Sequence, residues 1–210
     1  SGNAVGVVQS QYAHFVNTDS LESMDLPQTV FDWLHPQWSG LICAPDFLLR
    51  AGNGFLGLLY DPDTMANLHR RLIDEQDVIV TPDCDPLIVS GERPLMYMGY
   101  GHPAELLDTG YIEPFWNPGL GVNLFSHAVA KDAARPHAAR LFTAWTTSME
   151  ASELSWRAIG QGWPAFGHGP KELVSGRFAD LRLVYESPST FRERQARTSY
   201  FQEHVFGPAR

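Results

Sequence analysis

Three short apolar runs recur along the first half of the chain: Leu41-Ile42-Cys43-Ala44, Val78-Ile79-Val80-Thr81 and Pro94-Leu95-Met96-Tyr97-Met98-Gly99-Tyr100. Runs of this length, apolar at consecutive positions, predict strands covered on both faces. Between the first two, Asp61 stands as an N-cap with Asp63 inside the first turn, and Met65, Leu68 and Leu72 follow at helical spacing. The spacing predicts a helix with His69, Arg70, Arg71 and Asp74 facing out. A shorter helix is expected from about Gly52, and another at Pro86 to Ser90, with proline in its first turn. Strand, helix, strand, helix, strand is the alternation of a parallel α/β sheet.

The flanks read differently. Val5 to Asn17 is extended, with apolar or aromatic residues at Val7, Val8, Tyr12, Phe15 and Val16. Leu26-Pro27 ends an extended stretch, because the residue before proline is pushed out of the α region. Gln28 to Leu34 predicts one or two helical turns with Val30, Phe31 and Leu34 on the inner side, and His35 to Gly40 stops them. Tyr111 to Asn123 predicts a return crossing with a turn at Trp116 to Gly119, and Val122 to Val129 a strand. From Lys131 a helix begins whose Ala138, Leu141, Phe142 and Trp145 form one apolar stripe. Ser148 suits the cap of the next helix, with Glu150 in its first turn. After a proline-glycine loop from Gly160, Leu181 to Tyr185 reads as extended and a terminal helix starts near Ser189.

Composition narrows the class. The 210 residues, 44% apolar and 19% charged, suit one domain or two small lobes. A net charge of -9 argues against a nucleic-acid partner, which needs concentrated positive charge. The first residues, Ser1-Gly2-Asn3-Ala4, carry neither the charged nor the apolar region of a signal peptide. The two cysteines, Cys43 and Cys84, allow a single bridge in an oxidising compartment or two separate buried thiols.

The order of particular residues adds a family. Leu26, Pro27, Asp32, Leu34, Pro36, Trp38, Gly40, Pro45 and Asp46 follow a signature of leucine-proline, short helix, aspartate-x-leucine, proline-x-tryptophan-x-glycine, strand and proline-aspartate. It resembles the extracellular solute-binding proteins of bacterial ABC importers, in the branch with ferric-ion, polyamine, thiamine and phosphonate receptors. Gly91, Glu92 and Tyr100 match the block that introduces the third strand of that family's second lobe. Pro136, His137, Ala138, Ala139, Leu141, Phe142, Trp145, Ser148 and Glu150 resemble its returning helices, and Tyr200 to Phe206 its closing helix. The resemblance spans roughly Phe15 to Phe206. It implies an α/β fold of the type II periplasmic-binding-protein kind, a parallel-rich sheet lobe plus returning helices of the other lobe. The implied division is a first crossing at 1–17, lobe two at 18–115, and the return crossing with lobe-one helices at 116–210. The family carries a further α/β segment ahead of the first crossing, so the expectation is a carboxyl-terminal portion. What it implies for function is a receptor that takes a small-molecule solute in a cleft and delivers it to a membrane permease, outside the cytoplasm, with no cofactor or catalysis.

In open α/β sheets ligands sit beyond the carboxyl ends of the strands. That nominates Asp46, Phe47, Arg50 and Asn53 after the first strand, Asp83 and Asp85 after the second, and Tyr100 and His102 at the end of the third; Tyr97, as a ring near these aspartates, and Tyr12, on the crossing segment, are added as candidates. Gly52-Asn53-Gly54 suits an anion at a helix start, or is a plain flexible loop. Asp83 and Asp85 beside tyrosine rings suit an ammonium group, or are turn-forming and capping aspartates with core tyrosines. The adjacent tyrosines that ferric receptors use are not here; Tyr97 and Tyr100, an odd number apart, are expected on opposite faces of a strand. No metal is expected, with Tyr100 and His102 the pair that a ferric alternative would use. Enzyme motifs such as Gly-x-Ser-x-Gly, His-Glu-x-x-His and the phosphate-cradling Gly-x-x-x-x-Gly-Lys are lacking. The alternative is an α/β hydrolase or transferase using Asp83, Asp85 and His102.

Overall fold

A computed structural model describes residues 4–21, 26–46, 60–100, 108–115, 121–159, 184–185 and 188–207. Seven strands form one mixed sheet: β1 (Ala4–Asn17), β2 (Ile42–Pro45), β3 (Ile79–Thr81), β4 (Leu95–Tyr100), β5 (Ile112–Phe115), β6 (Gly121–Ala128) and β7 (Val184–Tyr185). Their order is β3-β2-β4-β1-β6-β7, with β5 also paired to β1. β2 runs parallel to β3 and β4, and β6 parallel to β7, whereas β1 is antiparallel to β4, β5 and β6. The long β1 serves two partners in turn. Residues Ala4 to Gln11 pair with β6, and the end of the strand pairs with β4 and β5.

Alternation along the short strands sorts the core into two halves. Val16, Ile42, Ala44, Leu95 and Tyr97 share one cluster with Trp33, Trp38, Met65, Leu68 and Leu72. The intervening residues Phe15, Cys43 and Met96 join Cys84, Ile88 and Ile112 in the other. Helix α1 (Pro62–Glu75) covers the first face and the short α2 (Asp85–Ser90) the second. A sheet covered on both sides has no solvated face, which is why its strands read as unbroken apolar runs.

Asp61 caps α1 as expected, its carboxylate accepting from Thr64 N at 2.9 Å. His69 does not face out. It lies fully buried between α1 and β4, its Nδ1–H donating to Met65 O at 2.8 Å and its Nε2 accepting from the Tyr97 hydroxyl at 3.0 Å. The turns after Leu26 are 3-10 helices at Asp32–Leu34 and Pro36–Trp38, and both indoles, Trp33 and Trp38, enter the core. Val30 is buried, but Phe31 is 44% exposed and lies edge-on against Tyr60.

Asn17 closes the joint where β1 ends. Its amide donates to Ile88 O at the end of α2, and its Oδ1 accepts from Ser20 N. Gly91 terminates α2 in the left-handed region (φ 73°), where a Cβ would also collide with the Ser20 hydroxyl. Gly91→Ala is therefore expected to cost about 1–3 kcal/mol, the conformational penalty plus displacement of Ser20, read as a lower urea midpoint at unchanged m-value.

Three further helices follow: α3 (Pro136–Trp145), α4 (Met149–Ile159) and α5 (Pro188–Phe201), the last running into a π-helical turn at Gln202–Phe206. α3 starts at Pro136, five residues later than its sequence suggested, because proline sets the first turn. Ser148 Oγ accepts from Ala151 N at the start of α4, as expected of a cap. The apolar stripe of α3 is helical but not interior: Leu141 is 73% exposed, and Phe142 and Trp145 are exposed as well. α5 returns to α1. There Phe201 is buried edge-on against His69, Arg197 donates to Tyr60 O, and the Tyr200 hydroxyl donates to Asp63. No helix among the described residues is long and apolar enough to cross a membrane.

Candidate functional site

The carboxyl ends of β2, β3 and β4 lie side by side. Pro45 is level with Thr81, and Cys43 with Met96, so β4 runs on past its neighbours to Tyr100. Tyr100 in turn is paired across the sheet with Tyr12 of β1. One rim thus carries the backbone of Tyr12, Asp46, Asp83, Asp85 and Tyr100, the placement that ligand crevices of open α/β sheets use. Phe47, Arg50, Asn53 and His102, and the helix expected near Gly52, fall outside the described residues.

Within the rim, Asp83 and Asp85 shape the turn into α2. Asp83 Oδ1 accepts from Asp85 N at 3.0 Å, and Thr81 Oγ1 accepts from Asp83 N. Asp85 opens α2, where a negative side chain meets the positive end of the helix. Its carboxyl nonetheless titrates above its ordinary range, first because partial burial disfavours the charge and second because Asp83 is close by. Such a carboxyl gains from a cation placed against it. Asp83 is exposed, and Asp46, one residue past β2, is half-buried.

Tyr97 does not belong to this set. It is wholly buried, between His69 and Trp33, and burial drives its phenol well above its ordinary range. The expectation that Tyr97 and Tyr100 occupy opposite faces also loses its premise. Register against β1 passes from Ala13–Gly99 to Phe15–Met96, so β4 holds one extra residue there. Met98 takes a left-handed φ of 62° at that point, and its N–H donates to His14 Nδ1 at 3.1 Å. His14 is itself fully buried among Trp33, Tyr97 and Phe115, and desolvation lowers its pKa to about 3. A histidine in an otherwise extended segment carries no periodic signal, so its role as the clasp of the bulge was not readable beforehand.

Among the described residues no three His, Cys, Asp or Glu side chains converge as a metal site. Neither a protein-family model nor a curated protein matches the chain. Solved structures do. The periplasmic binding protein P5PA superposes with a TM-score of 0.71 at 20% identity, over 96% of this chain and 68% of that one. Iron-bound HitA from Pseudomonas aeruginosa gives 0.71 at 16%, covering 96% and 69%. The periplasmic binding protein AfuA from Actinobacillus pleuropneumoniae, with fructose-6-phosphate bound, gives 0.72 at 18%, covering 97% and 68%. The chain has the fold of type II periplasmic binding proteins and spans about two thirds of the length of these structures.

Proposed function

We propose that this protein is the solute-capturing component of an ABC importer, working outside the cytoplasm and performing no chemistry on its ligand. The observation that carries the reading is the shared rim of β2, β3 and β4 beside the crossing strand β1, in a fold whose solved examples include binding proteins for iron, thiamin and a sugar phosphate. In this reading residues 18–115 make one lobe, β1 and β6 cross to the other, and residues beyond 116 return to it. A solute held at the rim and touched from both lobes binds the closed form better, so it shifts the hinge equilibrium toward closure. The closed form is the one presented to a membrane permease.

The described rim favours a cationic solute. Its ionisable residues are Asp46, Asp83 and Asp85, and the Asp85 carboxyl is the one that a positive partner would relieve. Calorimetry and thermal shift against spermidine, thiamine, a sugar phosphate and ferric ion test this. One cationic class is expected to bind, and at a hundredfold excess over Kd to add about 2.7 kcal/mol, roughly 5–10 °C in Tm. Asp85→Asn is expected to weaken that binding by about tenfold or more. If no solute registers, while a chromogenic ester or transfer substrate is turned over and Asp85→Asn abolishes turnover, the enzyme reading replaces this one.

A further inference from the structure

We infer that Cys43 and Cys84 join in an intramolecular disulfide when the chain folds in an oxidising compartment, tying β2 to the residue that caps α2 beside the candidate rim.

The two cysteines are the only ones in the chain. Cys43 sits in β2, level with Ile79 of β3 on one side and Met96 of β4 on the other. Cys84 is the residue before α2, and as that helix's cap it makes no side-chain hydrogen bond to the helix. Its thiol turns inward instead. Both side chains are buried, at 0% and 1% exposure, in one cluster with Phe15, Ile88, Met96 and Ile112. There the neighbouring Cys43 thiol and then burial push the Cys84 thiol far above its ordinary range. Two thiols of one small apolar cluster, with no third metal-binding side chain converging on them among the described residues, have one covalent outcome. The structure as it stands is the dithiol form.

The same burial dictates when the bond forms. In the folded dithiol both sulfurs are buried out of reach of a soluble oxidant, and the thiolate is the nucleophile. Pairing therefore belongs to folding, while the cluster is still open. One cysteine thiolate attacks a low-molecular-weight disulfide, forming a mixed disulfide and releasing one thiol. The second cysteine thiolate then attacks the protein sulfur and releases the other. Two S–H bonds are lost and one S–S bond forms, and the two electrons and two protons leave with the oxidant as two thiols. The closed loop of about forty residues restricts the unfolded chain. It also anchors Asp83 and Asp85, which flank Cys84, against β2.

The test needs no solute, so its failure and the failure of the receptor reading are separable. The protein is refolded in mixed oxidised and reduced glutathione, then unfolded in the presence of an alkylating agent and weighed. Expected are no alkylated thiols, a mass two hydrogens below the reduced form, and a peptide pair linking Cys43 to Cys84. Dithiothreitol should lower the urea midpoint of this protein and leave that of the double variant Cys43→Ala, Cys84→Ala unchanged. Two alkylated thiols per refolded chain, a bridge between chains, or a midpoint indifferent to reductant overturns the inference. The thiol count stands even if the double variant does not fold.

Discussion

Acidifying the protein from pH 7 to pH 4 is expected to remove on the order of 5 kcal/mol of unfolding free energy, most of it through two histidines. His14 and His69 are fully buried, and desolvation lowers their folded pKa values to about 3 and about 4 from an ordinary 6.5. The unfolded chain therefore binds protons that the folded one refuses. Stability is complete above about pH 6.5 and falls as the pH drops, until the folded values are reached. With both sites engaged the slope approaches about 2.7 kcal/mol per pH unit. A domain of ordinary stability, about 5–15 kcal/mol, is then near or past its unfolding point by pH 4. Asp61 and Glu75 also titrate below their ordinary carboxylate range, but their protonation contributes only further down the scale. Over the stretch from pH 6.5 to 5 the two histidines dominate, opposed by the raised Asp85 carboxyl, whose protonation favours the folded form. Urea titrations across that stretch, followed by tryptophan fluorescence, give the slope directly. His14→Gln and His69→Gln should each remove about half of it, whatever they do to absolute stability. A flat profile in the parent protein would mean that water or a counter-charge reaches these rings.

His69 also shows where reading by pattern stops. Met65, Leu68, His69 and Leu72 stand at i, i+3, i+4 and i+7, the positions of a buried stripe, yet the polar identity of His69 set it among the outward residues with Arg70, Arg71 and Asp74. A carbonyl one turn back and a hydroxyl from β4 satisfy both ring nitrogens, and neither partner is visible from α1 by itself. Local signals were legible throughout the parallel strands. The strands, the Asp61 cap and the order of elements came from unbroken apolar runs, a period of 3.6 residues and capping chemistry. Non-local ones were not. The bulge at Met98 depends on a histidine 84 positions earlier, and the double duty of β1 depends on strands from both halves of the chain. The stripe on α3 marks a third kind of limit: periodicity fixed the helix and the relative placement of Ala138, Leu141, Phe142 and Trp145. It carried no information on what lies against that face.

The candidate rim divides along the same line. The rule that ligands gather at strand ends needed only the positions of three strands, and the aligned ends of β2 and β3 follow from it. Tyr97 was included as a ring to stand beside Asp83 and Asp85, yet strand position says nothing about which face a side chain takes once a bulge intervenes. The hydrogen bond from Asp85 N to Asp83 shows the turn-forming reading of these aspartates at work.

Replacing Trp33 by alanine is expected to be the most damaging single truncation in the described core, at about 3–5 kcal/mol. The indole is completely buried on a 3-10 turn only three residues long, so the turn itself supplies little rigidity. What holds it is aromatic contact: Phe115 of β5 stacked at 5.8 Å, Tyr97 edge-on at 5.0 Å and the His14 ring at 4.8 Å. Each such pair adds about 0.5–1.5 kcal/mol beyond area burial, and the cavity left behind faces three rigid rings that cannot collapse into it. Removing the indole also uncovers His14. Water entering there should raise its pKa toward the ordinary value, so Trp33→Ala should flatten the acid slope as well as lower the plateau. Phe31→Ala is the matched control. Two residues away on the same turn, Phe31 is partly exposed and makes only an edge contact with Tyr60, so a loss of about 1 kcal/mol and an unchanged acid slope are expected. Equal losses in the two variants, or an acid slope untouched by Trp33→Ala, would show that the indole does not seal the His14 site. Trp33→Phe, which keeps a ring against Phe115 and Tyr97, should recover part of both effects together.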